Sequence, residues 1–234
     1  MDNGWEASAA AWIADQGELG DFSRQYVLDG PMRARVLAAA PGRALDIGCG
    51  EGRFCRWLRG QGIAAVGLEP AQGLLDEAIR RDPEGEYVKG RAEALPFDDG
   101  AFDLAVFYLT LIDIDDMRGA VAEAARVLRP GGRVLVANLQ PFNTAATAFD
   151  KHESGGRLIQ MNRYLEEFDG WYEWRGIRIR NWHRPMAAYM GAFLEQGLRL
   201  TAFEEPRAIG DTSETKRDRY DQAPYFFMME WLKP

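Results

Sequence analysis

The residues of this 234-residue chain that could do chemistry are a run of close glycines, the acids around them, two histidines and two cysteines. Gly48, Gly50 and Gly52 stand in the stretch Leu45-Asp46-Ile47-Gly48-Cys49-Gly50-Glu51-Gly52-Arg53-Phe54. Arg43 and Ala44 open a short apolar run of strand type before it, and Cys55-Arg56-Trp57-Leu58 reads as helix after it. A strand that turns through glycines into a helix brings backbone N–H groups close to a ligand. The spacing narrows the ligand: a dinucleotide fingerprint, G-x-G-x-x-G, needs glycine at position 53, where this chain has Arg53. His183 belongs to the side-chain class that titrates near neutral pH, and it sits between Trp182 and Pro185. His152 lies in a polar stretch and is expected to be exposed. The two cysteines, Cys49 and Cys55, are too few for a disulfide framework and point to a reducing, cytoplasmic setting. No zinc-ligand spacing is present, so no metal is expected. An aspartate-held magnesium stays open, because Asp113, Asp115, Asp116 and Asp150 all read as loop residues. Capping the next helix is the simpler role for the first three.

These groups need a frame, and from residue 43 to about 140 strands alternate with helices, the pattern of a parallel sheet covered on both faces. The strands are predicted at Ala44–Ile47, Ala64–Glu69, Glu86–Lys89, Phe102–Tyr108 and Arg133–Asn138. Leu74, Leu75, Ala78 and Ile79 recur at helical spacing. So do Met117, Ala120, Val121, Ala124 and Leu128, in a helix expected to stop at the turn Arg129-Pro130-Gly131-Gly132. After Pro141 the texture changes. Residues 141–184 hold Trp171, Trp174 and Trp182 with Phe142, Phe149, Tyr164, Phe168 and Tyr172, which is more than a simple crossover needs. This region is read as an insertion over the sheet edge. Pro185 suits the first turn of a helix closed by Gly197. Leu198–Phe203 and Tyr225–Trp231 read as the last strands, joined by a charged surface loop, Asp211–Asp221. The first 40 residues read as two helices, around Glu6–Asp15 and Pro31–Ala40, that form a packing cap or fold over a ligand.

The bulk properties exclude several classes. With 47% hydrophobic residues and a mean hydropathy of −0.34, the chain can build a full core. No apolar run approaches the ~18 residues of a membrane span, and Met1–Glu6 lacks the pattern of a signal peptide. Twenty-eight Lys and Arg against 36 Asp and Glu give a formal charge of −8, which argues against nucleic acid as partner. The run Arg175-Gly176-Ile177-Arg178-Ile179-Arg180 is read as the solvent face of one strand.

The glycine spacing, with Asp46 before it, resembles motif I of the class I S-adenosylmethionine (SAM) dependent methyltransferases, small-molecule members of the ubiquinone and menaquinone methyltransferase type. Further segments match in the right order: Gly67-Leu68-Glu69-Pro70, Gly90-Arg91-Ala92-Glu93-Ala94-Leu95-Pro96-Phe97, Ala101–Tyr108 and Arg126–Gly132. Together they cover roughly residues 40–140, with weaker similarity at Asn181–Pro185 and Gly197-Leu198. The resemblance implies a Rossmann-like α/β fold: a seven-stranded, mostly parallel sheet with an antiparallel last strand and helices on both faces. N-terminal helices and an aromatic-rich lid complete it. One domain would then comprise a cap (1–40), a SAM-binding core (41–140), a lid (141–184) and the end of the sheet (185–234).

It also implies roles. Gly48, Cys49 and Gly50 would pack on the amino-acid end of SAM, Asp46 near its ammonium and Arg24 on its carboxylate. Glu69, followed by Pro70, would accept from both ribose hydroxyls. Ala92 would pack on the adenine beside Arg91, Glu93 would accept from its exocyclic amine, and Tyr108 and Leu109 would face the methionine moiety. The cofactor would be SAM, with S-adenosylhomocysteine as product. Nucleic-acid amine methylases carry an Asn/Asp-Pro-Pro-aromatic segment where this chain reads Tyr108-Leu109-Thr110-Leu111. The expected reaction is therefore methyl transfer to O or N of a small, aromatic or heterocyclic metabolite, by a monomer or homodimer without membrane or nucleic-acid partners. Tyr26, Phe142, Trp171, Trp174 and Trp182 are the expected acceptor-binding residues and His183 the expected general base. A macromolecular acceptor (tRNA or a protein side chain) and a non-catalytic SAM-binding protein are the alternatives.

Overall fold

A computed structural model describes residues 3–151, 157–210, 217 and 220–234. Strands β1 (Arg43–Ile47), β2 (Ala64–Glu69), β3 (Glu86–Lys89), β4 (Phe102–Tyr108) and β5 (Leu128–Leu139) pair in parallel in the order β3-β2-β1-β4-β5. Two strands from the C-terminal part, β10 (Arg199–Glu204) and β11 (Phe226–Leu232), complete the sheet beyond β5. β11 runs antiparallel to both neighbours. This is the seven-stranded sheet expected from the resemblance.

Both faces of the sheet are covered, and alternation along each strand shows how. Leu45, Ile47, Ala105, Phe107, Val134 and Val136 enter one core with helices α5 (Met117–Val127) and α7 (Met186–Leu194). Ala44, Leu104, Val106, Leu135 and Ala137 enter the other, with α2 (Asp29–Ala39) and α3 (Arg53–Gly60). Burial of each such side chain contributes about 1.5–3 kcal/mol.

Parallel pairing brings the carboxyl ends of β1, β2, β4 and β5 to one edge of the sheet. In an open α/β sheet, ligands bind outside that edge where the direction of winding reverses, which here lies between β1 and β4. Two segments meet over it. The first is α1 (Trp5–Gln16), followed by a π-helical turn at Arg24–Leu28 where the sequence suggested only a linker between helices. The second is the 141–184 region, which folds as a short helix α6 (Pro141–Thr144) and two antiparallel ribbons. These pair β6 (Ala146–Lys151) with β7 (Arg157–Met161), and β8 (Phe168–Trp174) with β9 (Ile177–His183).

The N-terminal helix is tied to the second ribbon and to the core by specific polar groups. The Ser8 hydroxyl donates to Arg178 O at 3.0 Å and accepts from Arg178 N at 2.9 Å, so α1 is bound to β9. The Glu6 carboxylate accepts from Gln72 N (2.6 Å) and Gly73 N (3.3 Å). It thereby caps helix α4 (Gln72–Arg81), whose own N-cap residue, Ala71, has no side chain able to do so.

Three local expectations are corrected. Arg129–Gly132 is not a free turn before β5: it forms the irregular start of that strand, with a register shift against β4 between Phe102 and Leu104. Of the three aspartates proposed as caps, Asp116 caps α5, accepting from Gly119 N at 2.9 Å, and Asp113 and Asp115 have other partners. Arg178 and Arg180 do share a strand face, but Arg180 is buried, paired with Asp115 and Asp169, where a solvent face was expected. Asp115 pulled in by both Arg180 and the Trp182 indole is the physical reason. His152 and most of the Asp211–Asp221 connection lie outside the described residues.

Candidate functional site

A cavity of about 1060 Å³ opens at the β1/β4 switch point. Its floor is the glycine turn. Gly48, Gly50 and Gly52 all have positive φ (76°, 57° and 78°), a conformation that costs glycine little and other residues much. At Gly48 a Cβ would meet Thr110 Cγ2 at 2.5 Å, so the turn and the segment after β4 close on each other without room for a side chain. Gly48 N and Cys49 N both donate to Leu68 O (2.8 and 3.0 Å), which locks the turn to the end of β2.

Two acids stand at this floor, both buried. Glu69 accepts from Gly50 N at 3.0 Å through Oε2 and from Ala71 N at 2.9 Å through Oε1. Each oxygen keeps a further lone pair, and the residue lines the cavity. Burial raises its pKa to about 7 against those two hydrogen bonds, which lower it. Asp46, 1% exposed, is raised to about 7, again mainly by burial. The Cys55 thiol donates to its Oδ2 at 3.5 Å, while Oδ1 has no protein partner. A buried carboxylate oxygen without a donor, on the wall of a cavity, calls for a cationic or donor group from a ligand.

The wall continues along β4. Tyr108 OH donates to Asp29 Oδ1 at 2.7 Å. Asp29 is buried and takes a bidentate pair from Arg53 (2.7 and 2.9 Å) and a bond from Arg33 at 2.9 Å. Arg53, read in the sequence only as the residue that breaks a dinucleotide fingerprint, thus ties the start of α3 to α2. Leu109, next in the chain, has φ +61°, a conformation uncommon for leucine and held here by its N–H on Ala137 O at 2.8 Å. Arg24 lines the mouth, paired with Asp21 at 3.0 Å, its guanidinium 4.9 Å from the Trp12 ring centroid.

All twelve residues expected to hold the cofactor line this one cavity: Arg24, Asp46, Gly48, Cys49, Gly50, Glu69, Pro70, Arg91, Ala92, Glu93, Tyr108 and Leu109. Arg91 and Glu93 pair with each other at 2.9 Å at its rim. The residues fit the amino acid, ribose and base of SAM: a donorless carboxylate for an ammonium, an arginine for a carboxylate, a strand-end acid for a diol and a small side chain for a ring.

The acceptor set fares differently, and only Trp174 of five lies on the cavity. Trp171 pairs in register with Arg180, Tyr172 with Ile179 and Trp174 with Ile177. Opposed residues share a sheet face, so Tyr172, Trp174, Ile179 and Asn181 fall on one side and Trp171 and Trp182 on the other. Trp171 is half exposed under Arg178, 4.2 Å from its ring centroid. Trp182 donates to Asp115 at 3.0 Å. Phe142 stacks on Tyr164 and Tyr26 packs on Phe22, both off the cavity lining.

His183 is also off the lining and 1% exposed. Its Nε2–H donates to Tyr164 O at 2.9 Å, which leaves Nδ1 to accept from the Thr144 hydroxyl at 2.7 Å. Phe168 lies 4.8 Å from the ring, and burial lowers the pKa below its ordinary value. Both nitrogens are engaged, so the geometry does not supply the general base the sequence suggested. The groups that sequence reading missed on the lining include Trp12, Thr110, Tyr172, Asn181, Thr144 and Asp113 in a cavity-facing role. Period-two spacing from Trp174 would have found Tyr172. Among the described residues, no group of three or more His, Cys, Asp and Glu is placed to hold a metal, and no helix is long and apolar enough to cross a membrane.

Residues 45–136 match the family described as methyltransferase domain. Over 120 residues the chain is 34% identical to a demethylmenaquinone methyltransferase of Renibacterium salmoninarum, covering 49% of this chain and 51% of that protein. It is 39% identical over 153 residues to a malonyl-[acyl-carrier protein] O-methyltransferase of Serratia marcescens, covering 64% of this chain and 58% of the relative. The chain thus spans between half and three-fifths of the length of these relatives. Among solved structures, an S-adenosylmethionine dependent methyltransferase from Mesorhizobium loti superposes with a TM-score of 0.72 over 86% of this chain and 96% of its own, at 24% identity. That likeness carries the fold.

Proposed function

We propose that this chain, whose residues 45–136 match a methyltransferase domain, is a class I SAM-dependent methyltransferase that moves the methyl group of SAM to an O or N atom of a small, aromatic or heterocyclic molecule. The observation that carries this reading is the joining, in one cavity, of the glycine turn, the strand-end Glu69 and the donorless Asp46 Oδ1 with an aromatic-walled far half. Glu69 would accept from the ribose hydroxyls, Asp46 from the ammonium, and Arg24 would pair with the carboxylate. Ala92 and Glu93 would take the adenine, while Tyr108 and Leu109 would bound the methionine chain.

When bound, SAM supplies a methyl group already made electrophilic by its sulfonium. What remains for the chain is to hold the acceptor atom in line and to keep water out. Proximity and orientation alone can supply roughly 7–11 kcal/mol of a barrier in favourable cases. Trp174, Tyr172 and α1, closing over the sheet edge, form the wall that performs both tasks. The test is titration of the purified protein with SAM and with S-adenosylhomocysteine, followed by mass spectrometry for a gain of one methyl group across a small-metabolite library. Binding of both with methyl gain on a small molecule supports the reading, and absence of SAM binding removes it.

A further inference from the structure

The far half of the cavity contains a carboxylate that the cofactor has no need of. Asp113 lies five residues beyond the end of β4 and lines the cavity. Its Oδ1 accepts from Asn181 Nδ2 on β9, and the Trp5 side chain on α1 is a second polar neighbour. Both are neutral, and among the described residues no arginine or lysine pairs with it. The charged and titratable groups that face it are Glu69 from β2, Arg24 from the π-helical turn and the Tyr189 phenol from α7. Arg24 is already paired with Asp21.

The segment that carries Asp113 is held rigid from outside the cavity. Arg184, 1% exposed, donates to three of its carbonyls: Leu111 O at 2.9 Å, Ile114 O at 2.6 Å and Asp115 O at 3.1 Å. Trp182 N donates to Ile112 O at 2.7 Å. A buried arginine spent on carbonyls, together with a strand N–H and a side-chain amide, ties this loop to β9 and to the residue after it.

The charge of the whole lining bears on what binds there. Among the described residues four arginines reach the cavity, and each already sits in an ion pair: Arg24 with Asp21, Arg53 with Asp29, Arg91 with Glu93 and Arg175 with Asp15. Asp46, Glu51, Glu69, Asp113 and Glu173 line it without a basic partner among these four. Tyr172, Trp174 and Tyr225 add aromatic faces, which favour cations. Once its acids are ionised, such a site repels a carboxylate and concentrates a cation.

We propose that the acceptor is an amine that arrives protonated, and that Asp113 both anchors its ammonium and takes its proton, with Arg184 as a positioning residue. This rests on the methyltransferase reading above. The ammonium gives one proton to the Asp113 carboxylate. The freed nitrogen lone pair forms the new bond to carbon as the methyl–sulfur bond breaks, its electrons remaining on sulfur. The product leaves as an N-methylammonium, and Asp113 returns its proton to water. Burial raises Asp113 to about 8, so the carboxylate form that anchors the ammonium and takes its proton grows as pH rises through about 8.

The test uses matched probes, 2-phenylethylamine and 3-phenylpropionate, on the full chain loaded with S-adenosylhomocysteine, with calorimetry as the readout. The amine is expected to bind at least tenfold more tightly than the carboxylate. Asp113→Asn, which keeps the Asn181 contact, should remove that preference while S-adenosylhomocysteine affinity stays within twofold. With [methyl-13C]SAM, label should enter the amine, and Asp113→Asn should lower kcat at least 100-fold and abolish its rise with pH through about 8. Asp113→Glu should recover part of it. Equal or tighter binding of the carboxylate, an Asp113→Asn variant that still shows the preference, or an unchanged kcat overturns the proposal. Failure of the underlying reading would look different: neither SAM nor S-adenosylhomocysteine would bind.

Discussion

Between the carboxyl ends of β1 and β2 the cavity is built on a glycine turn with two buried acids, whereas under α1 and the β8–β9 ribbon it is lined by residues such as Trp12, Tyr172 and Trp174. The difference decides how each half can change. In the first, three glycines at positive φ, a carbonyl shared by two N–H groups and a strand-end acid leave almost no sequence freedom. In the second, the wall is formed by side chains carried on a ribbon, whose backbone is seated by Ser8, Asn3 and Ile112. In the proposed reading, a donor common to many reactions would be held by the rigid half and a particular acceptor by the variable one.

Four perturbations break or sharpen that contrast. The largest effect is expected on the rigid side. Glu69→Ala removes the acceptor for two ribose hydroxyls at about 1.5–3 kcal/mol each, so SAM Kd should rise at least 100-fold by calorimetry. A rise under tenfold would place the ribose elsewhere. On the variable side, Trp174→Ala should raise acceptor KM about tenfold and leave SAM Kd alone, while Trp171→Ala, on the outer face of the same strand, should change neither. Equal effects of the two would contradict the face assignment.

The third concerns pH. Asp46 and Glu69 sit at about 7 and Asp113 at about 8 because burial raises them, so the folded chain keeps protons that the unfolded chain has released above about pH 4. Stability from these groups is greatest below that point and falls as pH climbs to about 8. The ligand-free protein should therefore melt several degrees lower at pH 8.5 than at pH 6. Glu77, held down to about 2 by Arg80, contributes its stability above ordinary carboxylate pH and does not act in this window. A flat melting profile from pH 6 to 8.5 would mean the cavity acids are solvated. The smallest effect is expected at His183. His183→Gln should lower the melting temperature yet change kcat less than threefold, because the ring serves Tyr164 O and Thr144. A tenfold loss of kcat would restore it as a base.

Legibility followed the same division. Gly48, Gly50, Glu69 and Ala92 could be read because each position demands one residue type for a backbone or packing reason, and such demands have fixed spacing. The alternation of strands with helices pointed to a sheet covered on both faces, and its seven strands with an antiparallel last strand followed from the resemblance. The aromatic residues of 141–184 could not be sorted by type alone. Trp171 and Trp174 differ only in parity, and parity becomes visible once the ribbon's register with Arg180 and Ile177 is known. His183 misled for a related reason: a histidine's class suggests catalysis, but its role depends on partners, Thr144 and Tyr164, that lie 39 and 19 residues away. Asp113 was taken for a helix cap because it stands near one, and its neighbours Asn181 and Trp5 come from β9 and α1.

The central claim, that the glycine turn and Glu69 are shaped for SAM, is tested most directly by titrating the purified chain in parallel with SAM, S-adenosylhomocysteine and NAD. The account predicts one-to-one binding of SAM and S-adenosylhomocysteine, lost in Glu69→Ala, and no binding of NAD. Binding of NAD with none of SAM would contradict it.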